Sequence, residues 1–318
     1  MANEKVKNDN PLVSIIIPVY NGSNFLSRAV DSALNQTYKN TEIIVVNDGS
    51  KDNGATEKIA LSYGDKIRYF YKENGGVSTA LNFGIENMRG EYFSWLSHDD
   101  EYEADKIERE VKEILNSEED TIVFCSLNLI DENSAIINSK FNFGVKDGQN
   151  ISPKDMIVKI LQKSLVNGCA TLIPKKLFKD LKFNVSHKYV QDFEMWIDAC
   201  IKGYSWKFID YKGVRSRVHK NQLTYTGKKI FVSDCASWAD RVAEKIAEID
   251  EKEYKLSYNF AAYFKKYGAY LAAKKMIKTA KKYKRISISD SLKLFIMGIY
   301  GGIRPLIRKL YYALVRSN

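Results

Sequence analysis

Between residue 12 and about residue 126, short β-rich runs alternate with helical periods, and this alternation constrains the fold more than any other feature. The run LVSIIIPV at 12–19 has the apolar, β-branched character of a buried strand, and the residues after it repeat apolar side chains on one helical face. The runs EIIVV, IRYFY and EYFSWL follow, separated by predicted helices over 55–63 and 77–88. Repeated β-α-β units predict an α/β fold, a mostly parallel central sheet flanked by helices on both faces.

Beyond residue 120 the alternation weakens. TIVFCS and CATLIP have strand character, residues 128–143 predict a polar, hairpin-like excursion, and Pro153 opens a helix that runs to residue 163. VQDFEMWIDACIKG predicts a helix closed by Gly203, and YSWKFID predicts a strand followed by a loop over 211–224. After about residue 228 the pattern is helical throughout. We therefore expect one α/β domain over 10–228, with halves 10–126 and 127–228, and a C-terminal helical extension over 229–318.

Polar loops follow the first four predicted strands. They are PVYNGS (18–23), NDGSKDNG (47–54), KENGGVS (72–78) and SHDD (97–100). Gly, Asn, Asp and Ser suit loops in which the backbone approaches a ligand closely. Because open sheets of this kind bind ligands at the carboxyl ends of their strands, a binding site is predicted on this rim.

The SHDD loop supports two interpretations. Either Asp99 or Asp100 caps the helix that begins near Asp105, or the paired carboxylates supply oxygen ligands for a hard cation that holds phosphates. The sequence has no G-x-G-x-x-G after the first strand and no G-x-x-x-x-G-K-[ST], so dehydrogenase and P-loop nucleotide sites lack their anchor. Phosphates bound among acidic loops would need a cation between them.

Three segments carry a specific resemblance to a known family. VSIIIPVYNGSNFLSRAVDSALNQTYKNTEIIVVNDGSKD, then NGGVSTALNFGI, then GEYFSWLSHDD resemble the N-terminal half of a family 2 glycosyltransferase with the nucleotide-sugar-binding A-type fold. QDFEMW and RVH follow downstream in the order that this family shows. The resemblance implies an inverting glycosyltransferase, with nucleotide-sugar binding in 10–126 and acceptor binding in 127–228.

The resemblance also implies a donor site. Its residues would be Pro18, Val19 and Tyr20 around the nucleobase, Asp48 as acceptor of a uracil-type imide hydrogen bond, and Gly76, His98, Asp99 and Arg217. The implied donor is a nucleoside-diphosphate sugar, with UDP expected as the nucleotide. The acceptor would be a saccharide or a lipid-linked saccharide, of the kind used for a bacterial surface polysaccharide or capsule.

The chemistry implied by the resemblance needs a base and a cation. Asp192 in QDFEMW matches the general base, which suits a reaction in which a weakly nucleophilic hydroxyl must lose its proton. Asp99 and His219, with Asp100 as an additional acid, match the residues around a divalent cation, Mn²⁺ or Mg²⁺, that offsets charge on the departing diphosphate. Taken singly, Asp192 also fits a first-turn helix acid, and Asp48 a turn residue.

Four positions depart from the family pattern. Ser97 replaces the first acid of the D-x-D signature, Asn47 and Gln191 replace usual acids, and Leu81 replaces a frequent Arg that would clamp a phosphate. Lys72 or Arg217 is the candidate to contact the phosphate in place of that Arg. These departures keep open a binding protein without turnover. A sugar nucleotidyltransferase is the other alternative, disfavoured because no glycine-rich basic phosphate loop lies near the N-terminus.

Charge is concentrated at the C-terminal end. The chain carries a net +10, and residues 251–318 hold 16 Lys or Arg against 3 Asp or Glu, +13, which leaves −3 for residues 1–250. The local excess argues for an anionic partner and against a uniformly basic nucleic-acid binder. Two arrangements are open: helices that pack on the catalytic domain with a solvated lysine face, or helices that lie on an anionic membrane surface.

The cysteines and the hydropathy of the chain bear on its cellular location. The four cysteines are far apart, which fits neither a zinc framework nor a disulfide scaffold, and no signal peptide or membrane-spanning run is visible. We therefore expect a cytoplasmic protein, with peripheral attachment to the inner face of the cell membrane as the alternative raised by the basic extension.

Overall fold

One mixed sheet organises the N-terminal part of the chain in the computed structural model, which describes residues 8–139, 144–163, 166–220, 222, 227–249, 254–283 and 291–299. The strands are β1 (Val13–Val19), β2 (Thr41–Asp48), β3 (Arg68–Lys72), β4 (Tyr92–Trp95), β5 (Glu101–Tyr102), β6 (Thr121–Ile130), β7 (Ile136–Asn138), β8 (Asn150–Ile151), β9 (Thr171–Pro174) and β10 (Ser205–Arg217). Their order is β3-β2-β1-β4-β9-β6-β10-β5, with β7 beside β6 and β8 beside β10.

Six helices accompany this sheet and four more follow it within the described residues. They are α1 (Leu26–Leu34), α2 (Ala55–Leu61), α3 (Val77–Asn87), α4 (Lys106–Leu115), α5 (Pro153–Lys163), α6 (Gln191–Ile201), α7 (Lys228–Ile249), α8 (Tyr254–Lys266), α9 (Tyr270–Tyr283) and α10 (291–299). The chain divides into two compact units, Met1–Ile157 with Leu165–Gln222, and Val158–Ser164 with Leu223–Asn318. The second unit therefore includes the last half of α5.

The predicted α/β fold is confirmed, and its parallel character holds for the first four strands. β1 pairs in parallel with both β2 and β4, and β2 pairs in parallel with β3. β9 then runs antiparallel between β4 and β6, while β10 returns to a parallel pairing with β6. Sequence periodicity reports which side chains are buried and not strand direction, so the mixed second half was not foreseen.

The strand order creates a topological switch point between β1 and β4. The chain moves from β1 outward to β2 and β3 and then crosses back to β4, so the loops that leave β1 and β4 diverge. The β1–β4 ladder ends at the Ile16–Trp95 pair, whereas β1 and β2 stay paired to Val19. Pro18 lies where β4 has already left the ladder, which is a position that tolerates a missing N–H. This opening is where the sequence predicted a site.

Two segments differ from the prediction. β10 continues through Arg217, although residues 211–224 were expected to form a loop, and its register against β6 shifts between Ile209 and Val214. The bulge interrupts the strand pattern in the sequence, because it contains Gly213 and charged residues. Gly213 is required there, since an added Cβ would lie 2.9 Å from Lys106 Cγ and 3.0 Å from Cys125 Sγ. The expected hairpin after β6 is confirmed by its antiparallel pairing with β7, and residues 140–143 lie outside the described residues.

The helical unit has its own aromatic core. Trp238 on α7 is fully buried and meets Phe260 and Phe264 of α8 edge-to-face, with ring centroids 5.8 and 5.7 Å apart. Such contacts add to the burial of large apolar side chains. In the described residues, no helix is long and apolar enough to cross a membrane.

Candidate active site

Asp48 ties the loop after β2 to the start of α3. Its Oδ2 accepts from the Gly76 amide at 2.7 Å and its Oδ1 from the Gly75 amide at 3.1 Å, while Lys72 Nζ lies 2.6 Å from Oδ1. Gly76 has a φ of 91°, which favours glycine. The amino terminus of α3 thus already holds an anion, the Asp48 carboxylate.

This arrangement restricts what Asp48 can do for a ligand. Its side chain is 4% exposed and both oxygens are engaged, Asn74 Nδ2 adding a bond to Oδ2 at 3.2 Å. A nucleobase would have to replace one of these donors to reach the carboxylate. As placed, Asp48 organises the loops that surround the expected nucleobase pocket.

The loop after β1 presents one aromatic ring. Pro18 and Val19 are buried within the sheet, whereas Tyr20 is 43% exposed directly after the strand. The expected lining by all three side chains is therefore reduced to Tyr20, whose ring has the exposed face that stacking on a base needs. Gly22 approaches His98 so closely that an added Cβ would lie 2.4 Å from His98 Cδ2.

Asp99 and His219 form the central pair of the site. Asp99 Oδ2 and His219 Nε2 are 2.9 Å apart, although the two residues are 120 positions apart in the chain. Their side chains remain 15% and 10% exposed, so both are reachable from solvent. Burial raises the pKa of Asp99, but the hydrogen bond between Asp99 and His219 and the charge of His98 outweigh it and hold the pKa below its ordinary value.

His98 lies between these groups and the β1 loop. Burial lowers its pKa, and His219 lowers it further, against the opposing effect of Asp99. The expected role of His98 in donor binding stays a prediction.

The Asp100 carboxyl contacts Arg217 and Cys169 and not His219. Its Oδ1 accepts from the Arg217 amide at 2.8 Å, and its Oδ2 lies 3.4 Å from the Cys169 thiol. Burial, reinforced by the Asp99 charge, raises the pKa of Asp100 to about 8. A carboxyl that is 5% exposed and bonded inside the protein is a poor third cation ligand, so the expected place of Asp100 in the metal site is corrected.

Arg217 also differs from the expectation that it binds the donor. Its side chain is fully buried, with Nε donating to the Asp99 carbonyl at 2.8 Å, Nη1 to the Asp131 carbonyl at 2.6 Å, and Nη2 to Glu101 and Ser134. A guanidinium that is fully buried and bonded through all three nitrogens inside the protein cannot reach a phosphate on the rim. Arg217 is a positioning residue that holds the backbone of the SHDD loop through the Asp99 carbonyl.

The missing phosphate clamp is not replaced by the residues considered for it. Leu81 is fully buried, and the Lys72 ammonium contacts Asp48, the Glu73 carbonyl and Thr79 Oγ1. With Arg217 buried as well, neither of the two compensating side chains faces the rim as a free cation.

Asp192 lies in the first turn of α6, and its Oδ1 accepts from the Phe193 amide at 2.8 Å. A helix amino terminus stabilises a carboxylate, yet burial dominates and raises the pKa of Asp192 to about 7. The residue is still partly accessible. These are the properties of a carboxyl that can exchange protons near neutral pH.

The start of α6 is fixed to α3 through the preceding loop. Asn82 on α3 donates to the Phe183 carbonyl at 2.8 Å and accepts from the Phe183 amide at 2.9 Å. His187 Nδ1 lies 2.6 Å from Glu194 Oε2, both side chains being buried. The loop before α6 is thus held against α3, the helix that begins directly after Gly76.

Asp99 and His219 could be two protein ligands of a cation whose other ligands are substrate oxygens. No three His, Cys, Asp or Glu side chains converge on a cation site in the described part of the chain. A carboxylate oxygen and an imidazole nitrogen next to each other nonetheless match Mn²⁺, and Mg²⁺ is usually held by few protein ligands together with phosphates and water. The residues fit a cation site that shares its ligands with the substrate, and not one in which the protein supplies every ligand.

Three residues at this site were missed by the sequence analysis. Phe25 packs against His219 with ring centroids 5.3 Å apart, and the Arg217 guanidinium lies 4.6 Å from the Phe25 ring centroid. Gly22 makes the close approach to His98, and Cys169 Sγ receives the Ser97 amide at 3.2 Å. Of the three, only Gly22 could have been suspected from the sequence, because a glycine two residues after Tyr20 suggests a close approach. Phe25 and Cys169 make contacts with distant segments, which the sequence does not show.

Comparisons with known proteins identify the family of this chain. Residues 14–181, more than half of the chain, match the family model for glycosyl transferase family 2. A protein named as an uncharacterized glycosyltransferase in Rickettsia typhi is 46% identical over 268 residues, 81% of this chain and 81% of that protein. Another from Rickettsia prowazekii is 50% identical over 222 residues, 68% of this chain and 67% of that protein. Longer relatives exist, since a Rickettsia felis glycosyltransferase matches over 67% of this chain but 35% of its own length.

Solved structures show the same fold. Staphylococcus aureus TarS superposes with a TM-score of 0.60 at 16% identity, covering 80% of this chain and 43% of that chain. TarS 1-349 in complex with UDP-GlcNAc gives a TM-score of 0.59 at 13% identity, covering 86% and 93%. The resemblance seen in the sequence is therefore confirmed at the level of family and fold: this chain is a glycosyltransferase that belongs to glycosyl transferase family 2.

Proposed function

We propose that this chain moves a sugar from a nucleoside-diphosphate donor, UDP-linked, to a hydroxyl of a glycan or lipid-linked saccharide, with inversion at the transferred carbon. The observation that carries the proposal is the Asp99–His219 pair at the topological switch point, where α/β sheets bind nucleotides. The UDP and UDP-GlcNAc complexes of TarS, a protein of the same fold, support the choice of donor.

In this proposal the donor lies across the loops that follow β1, β2 and β4. Tyr20 stacks on the nucleobase, Asp48 and Gly76 shape the pocket beneath it, and His98 faces the ribose or diphosphate. Asp99 and His219 would hold a divalent cation, Mn²⁺ or Mg²⁺, next to the diphosphate. When bound, that cation would neutralise charge on the departing nucleoside diphosphate.

Asp192 is the proposed general base. A sugar hydroxyl is a weak nucleophile near neutral pH, so a carboxylate that removes its proton as the new bond forms lowers the barrier. A pKa of about 7 keeps Asp192 basic enough to accept that proton and ionised in a large fraction of molecules. One displacement assisted by one base inverts the configuration and needs no covalent intermediate on the enzyme.

The proposal also includes a cellular setting. An acceptor for a bacterial surface polysaccharide is assembled on a lipid carrier at the inner face of the membrane, which fits a cytoplasmic enzyme that attaches peripherally. The +13 charge of residues 251–318 supports attachment to an anionic surface.

A thermal-shift panel tests the donor. The full chain is heated with nucleoside diphosphates and their sugar conjugates, with and without Mn²⁺. A ligand at 100-fold over its Kd stabilises the fold by about 2.7 kcal/mol, so UDP and one UDP-sugar should raise Tm while the other nucleotides do not. If no nucleotide raises Tm in either condition, the donor site is wrongly placed.

Binding without turnover is the second candidate, because a specific observation favours it. Leu81 replaces a possible phosphate clamp, and the Lys72 ammonium is committed to Asp48. Release of UDP from the donor selected by the panel, measured with Mn²⁺ and a saccharide acceptor, separates the two. A Tm shift without transfer or donor hydrolysis would establish the binding protein.

A further inference from the structure

Helix α10 exposes an apolar face. Leu292, Phe295, Ile296 and Ile299 follow the i, i+3, i+4, i+7 spacing that places side chains on one side of a helix, and we name these four residues the α10 apolar face. Their exposed fractions are 57%, 64%, 49% and 52%. Helices of water-soluble domains ordinarily direct such a stripe to the core, whereas α10 leaves this one exposed.

The opposite side of α10 is packed. Leu294 is 4% exposed, and the Gly298 carbonyl accepts from the Tyr270 hydroxyl of α9 at 3.5 Å. Lys293 Nζ donates to Asn259 Oδ1 of α8 at 3.1 Å. The helix is thus seated on its neighbours in the same unit, and its outward apolar face follows from that seating.

Lysines flank the apolar face. On a helical wheel Lys293 lies about 100° from Leu292, at one edge of the face. Near the other edge, an added Cβ at Gly298 would lie 3.9 Å from Lys265 Nζ. An apolar stripe with long cationic side chains on both sides is the arrangement of helices that lie in a bilayer interface.

Helix α9 continues the basic character. Leu271 at its start is 73% exposed, and Lys274, Lys278 and Lys281 point outward along its length. No Asp or Glu occurs in 254–283 or 291–299. We name these three lysines the α9 lysine face.

We propose that the α10 apolar face docks on the surface of an anionic lipid bilayer, with the flanking lysines and the α9 lysine face at the headgroups. Apolar side chains of this size gain by leaving water for the acyl boundary, and each nearby lysine adds an attraction to anionic lipid. A second copy of the chain is a poorer occupant, because joining two such faces would bring two +13 segments together. The inference rests on the peripheral attachment included in the proposed function and names its surface, and it does not depend on the transfer chemistry.

Vesicle sedimentation of the full chain tests the proposal. Vesicles contain either phosphatidylcholine alone or phosphatidylcholine with phosphatidylglycerol. We expect partition onto the anionic vesicles and a loss of about tenfold or more in the Phe295→Gln, Ile299→Gln double variant. Lys274→Gln and Lys278→Gln should each weaken partition about fivefold, because each removes one lysine charge.

Matched controls separate docking from damage to the fold. Leu61 and Ile136 in the other unit are 57% and 55% exposed, so Leu61→Gln, Ile136→Gln alters two apolar side chains of similar exposed fraction and should leave partition unchanged. Tm and UDP-dependent thermal shift are recorded for every variant. Retention of the thermal shift with loss of vesicle binding separates this proposal from the proposed function.

A second readout reports insertion directly. The four native cysteines are buried, so an environment-sensitive thiol dye will label the thiol introduced by Ile296→Cys. Its emission should shift to the blue on anionic vesicles, and a dye placed by Leu61→Cys should not respond. Equal binding to neutral vesicles, absence of vesicle binding, or concentration-dependent self-association that the double variant abolishes would each overturn the proposal.

Discussion

Replacing the Asp192 carboxyl by an amide isolates the proton-accepting role assigned to this residue. With a pKa of about 7, Asp192 is ionised in about one tenth of molecules at pH 6 and about nine tenths at pH 8, so kcat/KM should rise about tenfold between them. An aspartate with the ordinary pKa of 3.8 would be ionised at both pH values and give no step. The step thus reports the buried environment of α6.

The assay is the initial rate of transfer at low donor concentration, because kcat/KM reports the free enzyme. Asp192→Asn should lower kcat/KM by about 10²–10⁴ and remove the pH step. Asp155→Asn is the matched control: Asp155 also lies in a first helical turn, but on α5 and exposed. A flat profile in the parent chain, or a step that survives in Asp192→Asn, would refute the assignment.

Stability gives an independent check of the same pKa. Because folding raises the pKa of Asp192 from 3.8 to about 7, the protonated residue favours the folded state below pH 4, and that contribution is lost as pH rises through 7. Asparagine mimics the protonated form at every pH. The Tm of Asp192→Asn relative to the parent should therefore increase between pH 4 and 7 and then level off, and a constant difference would contradict the raised pKa.

Three further predictions concern the donor side of the site. Asp99→Ala and His219→Ala should each remove most of the Mn²⁺-dependent part of UDP binding in titration calorimetry, and undiminished Mn²⁺ dependence in both would exclude the pair as ligands. Arg217→Met should lower the free energy of unfolding by roughly 3–5 kcal/mol in urea denaturation, because it leaves buried partners without their guanidinium, and near-parent stability would contradict the positioning role. Gly22→Ala should weaken UDP binding and cost about 1–3 kcal/mol of stability, because its Cβ would press on His98, and a variant with parent affinity would show that this contact is dispensable.

Local patterns predicted the first half of the fold well. Buried runs such as 13–19 and 41–48 alternate with amphipathic helices, and both properties depend on neighbours a few residues apart. The positions of the polar loops followed, because parallel strands end on one rim. β9 and the end of β10 were less predictable, since strand direction and bulges depend on which distant strand is adjacent.

The candidate site divides in the same way. The SHDD and RVH segments were identified as site segments by their order in the chain, and Asp99 and His219 do meet. The orientations of Asp100 and Arg217 were not predictable, because each depends on partners on other strands: the Arg217 amide for Asp100, and the Asp99 and Asp131 carbonyls for Arg217. Residue type showed that both could be polar ligands, whereas burial decided that both serve the scaffold.

The amino-acid sequence by itself determined the α/β class, the family and the excess of lysine near the C-terminal end, because periodicity, motif order and composition are properties of the chain read in one dimension. Only the tertiary structure decided that Asp48 is already saturated, that burial moves the pKa of Asp192 to about 7, and that α10 directs its apolar face outward. Each of these depends on what surrounds a side chain after folding, and groups brought together from distant segments leave no local trace in the sequence.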